Sequence, residues 1–296
     1  MKNSKIFGIF IIVLAYVVSF VVGGLLHYYL DLPIDDFLLK LLIMDVVMTI
    51  VIYLFSMIFN NASIYDPYWS VIPIVLTIYS AWVLCDFHPM SFLMISLIGI
   101  WGIRLTGNFF KTFKNLNTQD WRYDHFKNKF PRLWPLINLT GIHLFPTLIV
   151  FTCMLSVVKY METCANVMNV STIIAIVITL AAIVIETVAD YQMHKFLKTR
   201  KNNELINTGL WKRSRHPNYF GEILFWWGIY LIMLSVNDNM WILFLGPLLN
   251  TLMFAFISVP LAEKRQIKKN PAYLEYKKTT NTFLLFPKKE VEDDKK

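Results

Sequence analysis

Apolar side chains run along this chain in long blocks separated by short polar stretches. A helix that crosses a bilayer needs roughly 20 mostly apolar residues. The blocks that meet this are Ile6–Leu26, Leu38–Phe59, Tyr68–Cys85, Met90–Phe110, Gly141–Lys159, Ser171–Ala189, Tyr219–Ser235 and Trp241–Ala262. The seventh is short and carries Glu222. The pattern predicts an all-α, polytopic transmembrane helical bundle of about eight spans. The first block is too long for a signal-peptide core and lacks a cleavage pattern, so it reads as a retained helix.

Composition supports the same class. Of 296 residues, 56% are hydrophobic and 16% charged, against about 25% charged in soluble domains. Mean hydropathy is +0.50. Cys85, Cys153 and Cys164 have neither paired nor metal-ligand spacing, so neither a disulfide framework nor a metal site is expected.

The net charge of +8 is not spread evenly. With the N-terminus placed in the cytosol and the spans alternating, 25 of the 28 Lys and Arg residues fall on one side. They sit at Lys2 and Lys5, in Lys111–Arg132, in Lys195–Arg215 and from Lys264 onward; the exceptions are Lys40, Arg104 and Lys159. The intervening stretches, such as Asp31–Asp36, Asp86–Pro89 and Val236–Met240, carry none. This positive-inside asymmetry predicts an even number of spans with both termini cytosolic. It argues against a nucleic-acid groove as the reason for the basic balance. Lys288–Lys296 mixes both charges with little apolar content and reads as a solvated tail.

Ionisable residues inside a bilayer cost at least ~2–3 kcal/mol near its centre and usually face a cavity or a partner. Asp66, Arg104, Glu186, Asp190, Glu222, Glu263 and Arg265 all fall at span ends on the basic side. A shared depth suggests a polar chamber open to the cytosol. Snorkelling to the headgroups is the alternative, and it suits Lys40 and Lys159 better than short carboxylates. Asp45 stands apart from this layer.

The densest signal is Asn207–Glu222, which contains Gly-Leu-Trp-Lys-Arg-Ser-Arg-His-Pro-Asn-Tyr-Phe-Gly-Glu. Gly209 allows a turn, and Pro217 suits the first position of a helix. A helix N-terminus there, approached by Lys212, Arg213, Arg215 and His216, suits an anion such as phosphate. Asn218 and Glu222, and likewise Glu186 and Asp190, are four apart and share a helix face. Basic groups beside carboxylates and an amide describe a nucleotide site, whereas an ordinary basic loop with a helix cap would also carry these charges. A second basic cluster, from Asn115 through Asp120-Trp-Arg-Tyr123 to Lys127 and Arg132, offers Trp121 and Tyr123 either for base stacking or as an interfacial aromatic belt.

This string, together with Glu186-Thr-Val-Ala-Asp190 and the closing Glu263-Lys-Arg265, Pro271-Ala-Tyr273, Tyr276 and Pro287, resembles the DUF1295 branch of the steroid 5-alpha-reductase superfamily. The resemblance runs from about Asp66 onward. Its Arg-His-Pro-x-Tyr core is shared with membrane sterol reductases and isoprenylcysteine carboxyl methyltransferases. It implies a seven-span reductase-like core preceded by one extra helix, with N-terminal transmembrane helices over 1–60, a membrane catalytic domain over 61–287 and a tail over 288–296. It also implies NADPH as cofactor, held by Arg104, Glu186, Asp190, Arg213, Arg215, His216, Asn218, Tyr219, Glu222, Glu263, Arg265 and Tyr276. Glu186 stands where the steroid reductases carry Asn. Their substrate-polarising Glu and Tyr fall near Asp66 and Trp101, and an indole cannot act as an acid. Tyr65 and Tyr68 flank Asp66, and Asp66 with Tyr65 or Tyr68 is the candidate proton donor.

The expected activity is NADPH-dependent reduction of a conjugated C=C bond in a steroid-like or other lipid, without nucleic acid and without an obligate protein partner. The alternatives are an S-adenosylmethionine-dependent lipid or prenyl methyltransferase and a non-enzymatic lipid-binding or transport bundle. Carboxylates at Glu186, Asp190 and Glu222 favour the reductase. The lack of paired broken helices weakens the transporter.

Overall fold

The computed structural model describes residues 2–29, 37–85, 87–163, 168–201 and 204–286. The predicted tail at Lys288–Lys296, the Asp31–Asp36 stretch, Asp86, Cys164 and Pro287 lie outside them. The described residues are mostly helical, with one isolated bridge between Ser214 and Asn281. Among the described residues, eight helices are long and apolar enough to cross a membrane, the pattern of an all-α integral membrane protein.

The helices are α1 (Lys5–Tyr29), α2 (Phe37–Phe59), α3 (Tyr68–Cys85), α4 (Ser91–Thr112), α5 (Trp121–Lys129), α6 (Trp134–Thr163), α7 (Val170–Thr199), α8 (Pro217–Val236), α9 (Asp238–Lys269) and α10 (Tyr273–Thr279). All but α5 and α10 correspond to the eight predicted spans. The chain divides into two compact units, Met1–Ala165 and Asn166–Lys296.

In the N-terminal unit, α1 pairs with α2, and α3 packs on α4 and α6. Gly102 lets α4 approach the backbone of α3 at Ser70, where a Cβ would collide. The short helix α5 is capped by Asp120, whose carboxylate accepts from Arg122 N–H at 2.8 Å. Tyr123 of α5 buries its ring with Ala62, Trp134 and Ile142. α6 contains a π-helical turn over Asn138–Leu144, a distortion common at functional sites.

In the C-terminal unit, α7 and α8 lie against each other along their length. Two glycines of α8 make this possible: a Cβ on Gly221 would stand 2.7 Å from Glu186 Cβ and 2.9 Å from the Ala182 carbonyl, and one on Gly228 would strike Thr179. At the other end of the contact, Asn169 caps α7 by accepting from Thr172 N–H and donates to the Ser235 carbonyl at the end of α8. α9 returns against α8, with Thr251 accepting from the Trp227 indole at 3.1 Å.

Candidate functional site

The C-terminal unit gathers most of the predicted cofactor residues around the loop between α7 and α8. Gly209 adopts φ +59° against the Gln192 side chain, a conformation that favours glycine. Gln192 accepts from Leu210 N–H, and Trp211 donates its indole N–H to the Ala189 carbonyl at 3.0 Å. Trp211 is buried with Ala189 and Ile206. These contacts fix the loop to the end of α7 that carries Glu186 and Asp190.

Beyond Trp211 the loop is joined to the chain that follows α10. Arg215 N–H donates to the Asn281 carbonyl at 2.9 Å and His216 N–H to the Thr282 carbonyl at 3.1 Å. The buried Arg215 guanidinium donates to Glu263 Oε1 at 2.7 Å, to the Lys277 and Thr280 carbonyls and to Thr282 Oγ1. Lys277 supplies a second charge to Glu263, with Nζ 2.7 Å from Oε2. Tyr276 donates to the Trp211 and Ser214 carbonyls. Arg215, Glu263 and Tyr276, all predicted to hold the cofactor, thus form an internal clamp. Arg213 and its neighbour Lys212 are the exposed cations of the loop.

His216 closes the loop at the start of α8. Its Nε2 lies 3.4 Å from Glu263 Oε1, and its ring stacks on Tyr219 with centroids 5.2 Å apart. Burial lowers the His216 pKa from its ordinary value near 6.5, and contact with Glu263 opposes that shift. Tyr219 also packs on Phe254 of α9. Glu222, one turn further into α8, is buried and accepts from the Trp226 indole at 2.9 Å. Glu186 is buried beside Gly221, while Asp190, Asn218 and Arg265 are half-buried. Sequence reasoning missed Asn250 of α9. It is 2% exposed, and its Nδ2 has no hydrogen-bond partner among the described residues. An Asn in the middle of an apolar block was the available signal.

The remaining predicted residues belong to the N-terminal unit. Arg104 is half-buried on α4. Asp66 does not pair with the flanking tyrosines: its Oδ1 accepts from Tyr123 OH at 2.6 Å. That contact occupies Tyr123, which was expected to stack on a base or join an aromatic belt. The carboxyl partner of Tyr68 is Asp45, with Tyr68 OH donating to Oδ1 at 3.1 Å. Tyr65 OH bonds to Thr147 Oγ1 at 2.8 Å, and Thr147 bonds to Thr49 at 3.1 Å. Asp45, Thr49, Tyr65, Tyr68 and Thr147 are each at most 1% exposed. Trp101 is fully buried and packs edge-on against Trp69.

A family model described as a protein of unknown function, DUF1295, matches residues 52–280. The chain belongs to the DUF1295 family. An uncharacterized protein of Schizosaccharomyces pombe is 25% identical over 264 residues, covering 77% of this chain and 73% of its own length. No solved structure matches. The matched region begins inside α2 and ends just past α10, so it takes in both the Arg215 clamp and the buried Tyr65 and Tyr68.

Proposed function

We propose that this DUF1295 protein is an NADPH-dependent membrane reductase acting on a conjugated C=C bond of a lipid. The observation that carries the reading is the separation of roles in the 209–216 loop. Arg215 is committed to an internal clamp that rigidifies the loop. Lys212 and Arg213 stay exposed beside the start of α8, where backbone N–H groups and the helix dipole favour a phosphate.

The donor set around the loop suits the rest of a dinucleotide. Asp190 and Asn218 are half-buried flanking groups suited to ribose hydroxyls. Away from the loop, on α9 one turn before Phe254, whose ring packs on Tyr219, the Asn250 amide N–H is a buried donor that an acceptor on a bound molecule would satisfy. NADPH, when bound, supplies the hydride, which goes to the carbon β to a carbonyl and leaves an enolate needing one proton. The Asp45–Tyr68 and Tyr65–Thr147 pairs are the proposed acids in this chain, with Asp45 in place of Asp66 as the carboxyl member. Where Thr147 donates to Tyr65, the Tyr65 O–H keeps its own proton for the enolate, and an Asp45 in its acid form donating to Tyr68 would free the Tyr68 proton in the same way.

The test is thermal unfolding of the purified protein in detergent with saturating NADPH, NADP or S-adenosylmethionine. Ligand that binds only the folded state at about 100 times its Kd should stabilise it by about 2.7 kcal/mol. Protection by NADPH and NADP is the expected outcome. Protection by S-adenosylmethionine alone would move the assignment to methyl transfer, and protection by none of the three would end the nucleotide reading.

A further inference from the structure

The π-helical turn of α6 leaves two buried acceptors without donors. His143 is fully buried, and its Nδ1 lies 2.9 Å from the Asn138 carbonyl. A carbonyl oxygen only accepts, so Nδ1 carries the proton and Nε2 of the neutral ring is a bare acceptor. Nε2 has no partner among the described residues, and neither has Asn138 Oδ1. Buried polar atoms are almost always hydrogen-bonded, so two unmet acceptors on one turn call for a donor from outside the chain.

The surroundings are hydroxyl-rich and lie within helices that cross the membrane. The His143 ring packs against Tyr65 with centroids 4.7 Å apart and edge-on to Tyr53 at 5.6 Å. One helical turn on, Thr147 joins Tyr65 to Thr49. Tyr68, in ring contact with Tyr65, reaches Asp45. Titratable and hydroxyl groups from α2, α3 and α6 therefore form one continuous buried cluster in the N-terminal unit.

We infer that this cluster is a binding site for the hydroxyl group of a lipid alcohol, which donates to His143 Nε2. A carbonyl or ester oxygen cannot serve, because it has no proton to give. An anion is disfavoured too, since no Lys or Arg is among the groups that touch the turn in the described contacts. The apolar remainder of the ligand suits a site built from membrane-spanning helices. The site stands on the geometry of the N-terminal unit alone and does not require the nucleotide reading.

The experiment uses the full chain in lipid nanodiscs with a chain-diazirine palmityl alcohol and its methyl ether as probes. Labelled peptides are mapped by mass spectrometry, with no nucleotide present. The alcohol should label α2, α3 and α6 peptides roughly five- to tenfold more than the ether, the factor expected for one net hydrogen bond. His143→Phe should abolish that preference. Thr147→Val, which keeps the side-chain shape, should reduce it while the unfolding temperature confirms a folded protein. Equal labelling by alcohol and ether would mean that water alone meets the acceptors, a preference unchanged in both variants would mean that the alcohol binds elsewhere, and either would overturn the site. NADPH protection is a separate readout, so its failure does not touch this result.

Discussion

Arg215 Nε stands 2.7 Å from Glu263 Oε1, and both side chains are buried at the same end of the C-terminal unit. The pair joins the loop before α8 to the last stretch of α9, while the remaining donors of Arg215 hold α10 and the chain that follows it. One guanidinium thus ties together three segments distant in sequence. Removing it takes one of two cations from the buried Glu263 carboxylate and leaves several carbonyls without their donor.

Breaking a buried pair by deleting one partner typically costs about 3–5 kcal/mol. Arg215→Ala and Glu263→Ala should therefore lower the unfolding temperature of the protein without any ligand. Arg215→Lys should recover only part of it, because an ammonium cannot reproduce the planar fork that reaches Glu263, two carbonyls and Thr282 together. Arg213→Ala should behave in the opposite way. It should leave the unfolding temperature unchanged and weaken NADPH binding about tenfold, the loss expected for one charge-assisted bond to phosphate. Equal destabilisation by the two arginine changes would show that the roles are not divided.

His216 gives the loop a pH response of known sign. Burial lowers its folded-state pKa below the ordinary value of 6.5. Between the two values the unfolded chain binds more protons than the folded one, so stability rises with pH across that window. The stabilisation is complete above about pH 6.5 and is lost as pH falls through the folded value. Unfolding midpoints at pH 8 and pH 5.5 should differ more for the wild type than for His216→Gln. An identical difference in both would remove His216 as the cause.

Eight spans were legible because each carries enough apolar residues to meet the bilayer criterion unaided. Their ends were less so. α7 continues ten residues beyond the predicted limit at Ala189 to Thr199, through the polar His194, Lys195 and Lys198, because a helix can leave the apolar zone without ending. α6 starts at Trp134 rather than Gly141, through a π-turn that no hydropathy pattern marks. The carboxyl group bonded to Tyr68 was not legible in the sequence for a similar reason. Asp66 is its neighbour in sequence, but the pairing with Asp45 depends on how α2 meets α3. Arg215 reads in sequence as a phosphate ligand like Arg213. Only the meeting of the loop with α9, α10 and the chain that follows uses up its donors.

Gly221 was read from the sequence as part of a motif and Gly228 was not singled out, yet the structure gives both a packing role. A Cβ at Gly228 would strike Thr179, whose Cα is 3.1 Å from that position. A backbone atom cannot rotate away, so α7 and α8 must separate. Gly228→Ala should destabilise the protein by about 1–3 kcal/mol, as overpacking does. Thr179→Ala, which removes the nearest side-chain obstacle, should restore part of that loss in the double variant. A neutral Gly228→Ala in thermal unfolding would show that the helices are less tightly paired than their spacing requires.

Asn250 separates a ligand contact from a structural one by the sign of its effect. Its buried Nδ2 has no partner among the described residues, and an unsatisfied buried donor costs about 1–3 kcal/mol. Asn250→Leu replaces the carboxamide with an apolar group of similar shape, so the ligand-free protein should unfold at a higher temperature. The same change removes a donor from the proposed cofactor site, so the protection given by saturating NADPH should shrink. If Asn250 were instead a structural residue, the leucine variant would be less stable and its NADPH protection would be unchanged. Unfolding curves of the two proteins with and without NADPH give both quantities in one experiment, and only a gain in the first together with a loss in the second supports Asn250 as a ligand contact.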